Sequence, residues 1–424
     1  MATHLINDCF LHDKDRLTHH EALDILKKNI TPVTTAIEVA LADATGLVLA
    51  EDINAPRPIP GHTNAAVDGY AFAYKAYDAA KGSSFIVQQR VTAGEGQIET
   101  ANTKAAARIF TGAVMPTAYD STVMQEDVTL KEDENGTQIV TIPAGLKPGA
   151  NVRKAGEDTK QGGLLAGAAT RLTPAHIAAI ASGGIGKLSC FRKLRVAILS
   201  TGNEVIPAGA PFSLGKVYNA NGPMLAALLK SQKIEITDLG IIPDQAELIN
   251  QTISEAAKHH DVIISSGGAS KGEEDHIITT LNQLGHQHMW QLAIKPGRPM
   301  SFGQIKDTVF IGLPGNPVAA FICYCLYAAP MLRRLGGENW WQPISFEVPA
   351  DFEITNKKPD RREFIRGNLH HKNGETWVSR YKQDGSGLIR SLTQSNAIIE
   401  IDEATTSLQK GDKVRVLPFS NWGL

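Results

Sequence analysis

Residues 194–205 read LRVAILSTGNEV, and residues 261–284 read DVIISSGGASKGEEDHIITTLNQL. In each stretch an apolar run leads into a turn that contains glycine, and the second turn is followed by a helical pattern. The same order recurs at TVFIGL (308–313), which precedes PGNP (314–317) and another apolar helical run. Strands that alternate with helices are typical of a parallel, doubly wound sheet. We therefore predict an α/β domain over residues 190–334.

Shorter β-rich runs flank this domain on both sides. Between residues 83 and 152 they alternate with turn residues, as in SSFIVQQRV and TQIVTIPAG. After residue 335 short strands return, among them ISFEVPA and KVRVLP. This texture predicts a small β domain before the α/β domain and a barrel-like or sandwich β domain after it. The predicted fold class is α/β plus β, in several domains.

Two helices are predicted ahead of the α/β domain. Residues 18–30 begin with a capping box of Thr18 and Glu21, and leucines follow near one face. The second helix has Thr173 as its cap, Pro174 at its first position and a glycine pair after its end. The flanking regions are therefore not purely β.

Composition and charge exclude several classes of protein. The 424 residues include 42 Lys plus Arg and 44 Asp plus Glu, which gives a formal net charge of −2. Polybasic nucleic-acid binders need an excess of cations, so we expect no nucleic-acid partner. No apolar run approaches the ~20 residues that span a bilayer, and the amino terminus lacks the apolar core of a signal peptide. We therefore expect a cytoplasmic protein with no membrane association.

Cysteine and histidine usage favours structural rather than metal-binding roles. The four cysteines are too few and too scattered for a disulfide framework or a four-thiolate zinc site. Cys323 and Cys325 lie in an apolar stretch and are predicted to be buried, inert thiols. The paired histidines at 19–20, 259–260 and 370–371 point apart on a helix or strand, so we predict that they lie on the surface.

Glycine-bearing turns follow three strands of the predicted α/β sheet. They are TGNE (201–204), GGASKGEED (267–275) and PGNP (314–317). The carboxyl ends of parallel strands meet at one edge of a sheet, which is where such domains bind ligands. Glycine lets the backbone approach a ligand, and helix N-termini present unpaired N–H groups to anions. Three such turns predict a phosphate-binding cleft at this edge.

Charged side chains are placed to serve such a cleft. Basic candidates are Lys295 and Arg298 in the rigid turn KPGRP, with further candidates elsewhere (Arg153, Lys154, Arg361, Arg362, Arg366 and Arg390). An anionic ligand beside carboxylates needs cations or a bridging divalent metal, and oxygen ligands favour Mg²⁺. Other interpretations stay open: Asp244 can cap a helix, Asp275 can complement a helix dipole, and Asn316 before a proline is an ordinary N-cap.

Familiar catalytic and nucleotide-binding motifs are missing, with one exception. The sequence has no GxxxxGK[ST], no HExxH and no GxGxxG that opens a helix. Gly268-Ala269-Ser270-Lys271-Gly272 matches the GxSxG of a hydrolase nucleophile elbow and lies between a predicted strand and a helix. A serine hydrolase with Ser270 as its nucleophile is therefore a further hypothesis.

A series of short markers runs along the chain in the order PGHTNAAVDGYAF, RIFTGAVMP, VMQEDV, NVRKAGEDT, AILSTGNEV, GIIPD, DVIISSGGASKGEEDH, LAIKPGRPMSFG, GLPGNPVAA, REFIRG and GSGLIRSL. Their order and spacing resemble those of molybdopterin molybdenumtransferase, a family related to the carboxy-terminal domain of gephyrin. The resemblance covers nearly the whole chain. It implies an elongated, usually dimeric protein of four domains: a split domain (1–68 and 153–189), an inserted β domain (69–152), the α/β molybdopterin-binding domain (190–334) and a C-terminal β domain (335–424).

The resemblance also implies a reaction. Adenylylated molybdopterin and molybdate bind, molybdenum is placed on the dithiolene sulfurs, and AMP is released with the assistance of Mg²⁺. This reaction belongs to molybdenum cofactor biosynthesis, and it makes a molybdopterin adenylyltransferase a candidate partner.

Functional residues of the family are carried over to the matching positions of this sequence. The acids fall on Asp68, Asp158, Glu204, Asp244 and Asp275, of which Glu204 and Asp275 are the expected metal ligands. Thr111 matches a substrate-contacting threonine and Lys295 a motif lysine; the other expected substrate contacts are Gly267, Gly268, Ser270, Lys271, Arg298, Pro314, Gly315, Asn316 and Pro317. The acids would hold Mg²⁺ and position water or molybdate, and the cations would offset the charge of the anions.

Four positions depart from the usual family pattern. Asn203 stands where Asp is usual, and Asn219 begins Asn-Ala-Asn where a pattern such as Asp-Ser-Asn is usual. Gln291 replaces a common lysine, and Lys271 replaces a small or apolar residue. One hypothesis is that Lys271 supplies the positive charge that is missing at Gln291. The alternative is a divergent molybdopterin-binding or scaffold paralogue with altered or reduced activity.

Overall fold

The computed structural model describes residues 16–96, 98–99, 102–267 and 276–424, with the backbone alone for residues 287–290. It contains an α/β region with β-rich regions before and after it, and separate hydrophobic clusters fill these regions. The predicted multi-domain fold of the α/β plus β class is confirmed.

The first helix, α1 (His19–Asn29), has the predicted capping box. The Thr18 hydroxyl accepts the Glu21 N–H, and the Glu21 carboxylate accepts the Thr18 N–H. The apolar face of α1 packs into the core of the α/β region. The prediction that the paired histidines lie on the surface is wrong for His19, which is 7% exposed. As the first residue of α1, it packs its ring against Tyr327 of the α/β region.

A split region of short strands follows, interrupted by an inserted sheet. Its first strands are β1 (Ala36–Ala40), β2 (Val48–Leu49), β3 (Ile53–Asn54) and β4 (Asn64–Ala65). The inserted strands are β5 (Gly69–Phe72), β6 (Ser83–Val91), β7 (Ala105–Ile109), β8 (Ser121–Met124), β9 (Thr129–Glu132) and β10 (Gln138–Ile142), in the sheet order β8-β5-β7-β6-β10-β9. The chain returns through β11 (Val152–Arg153), β12 (Leu164–Ala166), α2 (Pro174–Ser182) and β13 (Lys187–Phe191).

The returning segment completes the split region by antiparallel pairing. Strand β11 pairs with β4, β12 with β3, and β13 with both β1 and β2. Thr173 caps α2 and Pro174 is its first residue, so the predicted start of this helix is confirmed.

The α/β region alternates strands and helices as the sequence predicts. Its strands are β14 (Arg195–Thr201), β15 (Val205–Ile206), β16 (Val217–Tyr218), β17 (Glu235–Ile242), β18 (Val262–Ser266), β19 (His286–Gln291), β20 (Ile294–Lys295), β21 (Pro299–Ile305) and β22 (Thr308–Leu313). Its helices are α3 (Asn221–Ser231), α4 (Ala246–Ala256), α5 (His276–Leu284), α6 (Pro317–Cys323), a π-helical turn (Tyr324–Ala328) and α7 (Ala329–Leu335).

The main sheet of this region is parallel in one half and antiparallel in the other. Its order is β17-β14-β18-β22-β21-β19, and the first four strands are parallel, as predicted. Strands β21 and β19 extend it in the antiparallel sense, which the sequence analysis missed. Lys306-Asp307 forms a two-residue turn between β21 and β22, and Lys306 has φ +54°. A two-residue hairpin joins only antiparallel strands, so this turn sets the change of direction.

The C-terminal β domain consists of β23 (Phe346–Pro349), β24 (Arg362–Lys372), β25 (Glu375–Arg380), α8 (Arg390–Thr393), β26 (Ala397–Ile401) and β27 (Lys413–Pro418). Short 3₁₀ helices lie at Leu41–Asp43, Tyr74–Ala76, Gln125–Asp127 and Phe419–Trp422. The sheet order is β20-β24-β26-β27-β23, with β25 paired to β24. Strand β20 comes from the α/β region, so this sheet joins the two domains beside Lys295.

The helical run Pro317–Leu335 passes through the core of the α/β region. By length and composition it could cross a bilayer, which the sequence analysis did not predict, but 89% of it is buried inside the protein. Cys323 and Cys325 are 0% exposed, and burial raises the pKa of both thiols, so the prediction of buried, inert thiols is confirmed. The run is therefore the central core helix of this region.

Candidate functional site

A cleft of about 1090 Å³ lies between the carboxyl edge of the α/β sheet and the C-terminal β domain. The α/β region lines it with the turns that follow its strands, and the C-terminal domain lines it with β24 and the loop at 384–387. The candidate residues that line it are Glu204, Asp244, Gly267, Lys295, Pro314, Gly315, Asn316 and Pro317. The strand ends therefore bring two acids, one lysine and the glycine turns to one place.

Glu204 is positioned by the glycine that follows β14. Gly202 has φ +138°, a backbone conformation that favours glycine. The Glu204 carboxylate folds back over it, because a Cβ on Gly202 would lie 2.7 and 2.8 Å from the two carboxylate oxygens. A side chain at this position would displace the carboxylate, so glycine sets where Glu204 lies.

Two of the unusual residues keep hydrogen bonds that an aspartate could also make. The Asn203 N–H donates to Asp244 Oδ2 at 2.9 Å, and the Asp244 N–H donates to Asn203 Oδ1 at 3.1 Å. Asn219 Oδ1 accepts the Gly222 N–H at 3.0 Å, near the start of α3. Both asparagines accept a hydrogen bond through a side-chain oxygen, which aspartate also has. Asn219 Nδ2 also donates to Ser200 Oγ at 3.1 Å, which an ionised aspartate could not do. The acceptor role of an aspartate is therefore kept at both positions.

The turns after β18 and β22 approach each other closely. The Gly267 N–H donates to the Leu313 carbonyl at 3.1 Å, and a Cβ on Gly315 would lie 4.0 Å from the Gly267 Cα. The predicted contacts Gly268, Ser270 and Lys271, the predicted metal ligand Asp275 and the serine-nucleophile hypothesis lie outside the described residues.

Helix α6 starts at the cleft. Asn316 is its N-cap and Pro317 its first residue, as the sequence predicts, and the Asn316 side chain makes no capping hydrogen bond. The Val318 N–H donates to the Ser386 carbonyl at 2.9 Å. This bond ties the start of α6 to the loop of the C-terminal domain that lines the opposite side of the cleft.

Lys295 lies on β20, and the parallel pairing with β24 places it beside Glu363. Its Nζ is 3.4 Å from the nearer carboxylate oxygen, and 47% of the lysine side chain is exposed. Solvent screens such a pair, so the ammonium group can still bind an anion. Arg298 does not line the cleft; it donates to Gln291 Oε1 at 3.1 Å. The neutral Gln291 side chain therefore accepts a hydrogen bond from the cationic Arg298.

Arg366 on β24 is a buried cation that lines the cleft and is 4% exposed. Its guanidinium donates to Ser391 Oγ at 3.0 Å and to the carbonyls of Gln383 and Gly385 at 3.2 Å. Burial lowers its pKa, and none of these acceptors is a carboxylate. Arg362, by contrast, is paired with Glu400 and Glu403. Both arginines are candidates from the sequence, and no sequence pattern distinguishes Arg366 from the carboxylate-paired Arg362.

Asp68 and Thr111 form a hydrogen-bonded pair away from this cleft, and Asp158 is a further candidate that lies outside it. The Thr111 N–H and hydroxyl donate to Asp68 Oδ1 at 2.8 and 2.7 Å, and these bonds, the backbone one foremost, lower the pKa of Asp68. Asp158 is exposed and accepts the Thr159 hydroxyl at 3.1 Å. None of the three lines the cleft of its own protomer. The structure therefore divides the candidate site residues between two places.

Three family models match the chain in order. They describe the MoeA N-terminal region (domain I and II) over residues 17–184, a probable molybdopterin binding domain over residues 197–334, and the MoeA C-terminal region (domain IV) over residues 348–419. The fold and the cleft thus define a multi-domain protein whose α/β unit is of the molybdopterin-binding class.

Individual relatives match over almost the full length. The molybdopterin molybdenumtransferase of Haemophilus influenzae is 34% identical, over 90% of this chain and 93% of its own. Gephyrin of Dictyostelium discoideum is 27% identical, over 95% of this chain and 62% of its own. The solved structure of a molybdopterin biosynthesis MoeA protein from Pyrococcus horikoshii OT3 has a TM-score of 0.79 at 28% identity, over 95% of this chain and 100% of that one. The chain belongs to the molybdopterin molybdenumtransferase family.

Proposed function

We propose that this protein is a molybdopterin molybdenumtransferase of molybdenum cofactor biosynthesis. It binds adenylylated molybdopterin and molybdate, places molybdenum on the two dithiolene sulfurs and releases AMP. The observation that carries the proposal is the cleft, in which four carboxylates share one space with a lysine, a buried arginine and glycine turns; the carboxylates are those of Glu204, Asp244, Glu363 and Asp384. A pyrophosphate group and an oxyanion both need such cations and N–H donors.

Lys295 and Arg366 would hold the anions: Lys295 is half exposed although its ammonium lies 3.4 Å from the largely buried Glu363 carboxylate, and Arg366 donates to a hydroxyl and two carbonyls. A guanidinium binds an oxyanion through two parallel N–H groups, and an ammonium group adds a compact charge. Glu204 or Asp244 would position the water that cleaves the phosphoanhydride. The water oxygen adds to a phosphorus atom of the phosphoanhydride, a proton of the water passes to the carboxylate, and AMP leaves.

Mg²⁺ is proposed to assist this step. Glu204 and Asp244 offer carboxylate oxygens, the ligand type that Mg²⁺ prefers. Within the described residues, no group of three or more His, Cys, Asp or Glu could hold a metal ion. Magnesium is commonly bound by one or two carboxylates together with substrate phosphates, and the cleft fits that arrangement.

A homodimer is proposed to complete the site. Asp68 and Thr111 are fixed to each other by two hydrogen bonds but do not line the cleft of their own protomer. The family resemblance assigns them to the same site as Glu204. A twofold dimer can supply the same group to both clefts at once, which would resolve the separation.

A divergent scaffold protein is the second candidate, and the departures from the family pattern are what suggest it. The hydrogen bonds of Asn203 and Asn219 weigh against it, because both residues keep the oxygen acceptor that an aspartate would provide. The hypothesis that Lys271 replaces the charge missing at Gln291 is tested by Lys271→Ala, which should weaken binding of adenylylated molybdopterin.

A molybdopterin adenylyltransferase is proposed as the partner that supplies the substrate, and the cytoplasm as the location. The buried core helix Pro317–Leu335 agrees with a protein that is not inserted in a membrane.

The reaction is tested by mixing purified protein with adenylylated molybdopterin, molybdate and Mg²⁺ and measuring released AMP. Release should require molybdate and fall when Mg²⁺ is chelated. Glu204→Gln should reduce the rate about 100-fold or more, as loss of a general base does. Glu255→Gln, the same change at an exposed residue on α4, is the matched control and should retain the rate. Release of AMP that does not depend on molybdate would contradict the proposal.

The dimer is tested by complementation between two inactive variants. Thr111→Val removes a hydroxyl from one group of residues, and Glu204→Gln removes a carboxylate from the other. In a mixture of refolded or co-expressed chains, half of the dimers carry both variants, and each of these has one intact composite site. The mixture should recover about one quarter of the wild-type rate. No recovery, with hybrid dimers shown to be present, would assign both groups to separate sites.

A further inference from the structure

Asn221 joins two of the cleft turns through one buried side chain. It is the first residue of α3 and is 7% exposed. Its Nδ2 donates to Ser266 Oγ at 2.7 Å and to the Gly315 carbonyl at 2.7 Å. Ser266 ends β18, and Gly315 lies in the turn after β22. A single carboxamide therefore adds a side-chain link to the backbone pairing of β18 with β22, at the ends of both strands.

The Gly315 carbonyl can only accept, so that contact requires an N–H donor, whereas the Ser266 hydroxyl can accept or donate. A carboxamide nitrogen has two N–H groups, so it can donate one to each partner. Asn221 Oδ1 is buried and has no hydrogen-bond partner among the described residues. The side chain is thus held by its donor end. A carboxylate of the same shape has no donor when ionised; the Ser266 hydroxyl could donate to it, but its charge would lie against the Gly315 carbonyl oxygen.

The link matters because Gly267 and Gly315 both line the cleft. A Cβ on Gly315 would lie 4.0 Å from the Gly267 Cα, so the two residues are already close to contact. Helix α6 starts two residues after Gly315. A shift of Gly315 would therefore move the start of α6 relative to Gly267. Displacements of about 1 Å between groups that hold a substrate can reduce rates about 100-fold.

We infer that Asn221 is a positioning residue that sets the separation of the Gly267 and Gly315 turns around the bound anion. The inference rests on the proposed function of the cleft. Asn221 itself need not touch the ligand; it acts through the two turns that it joins.

The test is Asn221→Asp, which changes the donor with almost no change in shape. At about pH 8 the variant should lose about 10- to 100-fold in kcat/KM for molybdate-dependent AMP release, with weaker binding of adenylylated molybdopterin by calorimetry. A protonated carboxyl group can donate one hydrogen bond. The ratio of variant to wild-type kcat/KM should therefore rise as the pH is lowered towards about 5.5, because burial raises the pKa of such a carboxyl group. A purely structural role would instead lower the melting temperature of the variant and leave the affinity of its folded fraction unchanged, so both are measured at each pH.

The matched control is Asn250→Asp. Asn250 Nδ2 donates to Gln283 Oε1 at 3.0 Å between α4 and α5, outside the cleft lining, and the variant should keep wild-type kinetics. Ser266→Ala removes one of the two acceptors and should cause a smaller loss than Asn221→Asp. If Asn221→Asp does not fold, Ser266→Ala decides: a loss of kcat/KM with an unchanged melting temperature supports the inference, and wild-type kinetics overturn it.

Failure of this inference can be told from failure of the proposed function. Wild-type kcat/KM and affinity in folded Asn221→Asp, beside an active wild-type protein, overturn the positioning role alone. If the wild-type protein binds adenylylated molybdopterin but releases no AMP with molybdate, the transferase proposal fails. In that case weaker binding by Asn221→Asp would still support the positioning role.

Discussion

Replacement of His19 should remove part of the acid sensitivity of this protein. The imidazole is buried, its Nδ1 is 2.8 Å from the Tyr327 hydroxyl, and its ring packs edge-on against Phe364 with centroids 5.1 Å apart. Burial, followed by the charge of Arg362, lowers the pKa of His19 from 6.5 to about 3. The folded protein therefore keeps this imidazole neutral under conditions in which an unfolded chain would protonate it.

The sign and size of the effect follow from the two pKa values. Between about pH 3 and pH 6.5 the unfolded state binds more protons at His19, so the free energy of unfolding falls as the pH falls. The contribution is fully present above the unfolded pKa of 6.5. At 1.36 kcal/mol per unit, going from pH 7 to pH 5 should cost about 2 kcal/mol through this residue.

The measurement is urea unfolding of the wild type and of His19→Asn near neutral and near mildly acidic pH. Asparagine keeps a polar atom for Tyr327 but does not titrate, so the variant should lose about 2 kcal/mol less than the wild type over that range. At neutral pH it should be less stable than the wild type, because it loses the ring contact with Phe364. Equal pH dependence in His19→Asn and the wild type would refute the reasoning.

Two further substitutions test how the cleft and the domain junction are held. Gly297→Ala should destabilise the fold by about 1–3 kcal/mol and slow AMP release. Gly297 has φ +105°, and a new Cβ would lie 2.4 Å from Cys323 Sγ. Wild-type stability of the variant in urea would contradict this prediction. Glu338→Gln should destabilise the fold by roughly 2–3 kcal/mol, because the buried carboxylate pairs with Arg171 of the split region and with Arg333. An unchanged urea unfolding curve would show that the contact between these regions does not depend on the Glu338 charge.

Much of the cleft could be predicted from the strand ends. Parallel strands place their carboxyl ends at one edge, so Glu204, Gly267 and Gly315 could be assigned to a common edge from their positions after strands, and Asp244 was added by the family resemblance. The structure brings these four residues to one cleft. Local rules of this kind succeed because a strand and the turn after it carry their own signal. The capping box of α1 was predictable for the same reason.

The misses concern contacts between segments that are distant in sequence. His19 was predicted to lie on the surface because neighbouring histidines diverge, but its burial depends on Tyr327 and Phe364, which belong to other domains. Asn221 was not singled out, because its acceptors lie on two different strand ends. Arg366 could not be separated from Arg362 without knowing where the carboxylates lie. No local sequence rule encodes these pairings.

Lys295 and Arg366 hold a fixed relation to each other because of how β20 and β24 pair. The Arg362 N–H donates to the Ala293 carbonyl at 2.9 Å, and the pairing continues with Lys295 opposite Glu363. Arg366 lies further along β24. Separating the two strands costs roughly 1 kcal/mol for each backbone hydrogen bond lost, in addition to the apolar contacts between the domains. A state that lies a few kcal/mol higher is populated at about 0.1–10%, so the two cations stay in place before any anion arrives. Cations that are already in place stabilise a bound anion without a reorganisation step. The ligand can therefore reach Lys295 and Arg366 without separation of β20 from β24.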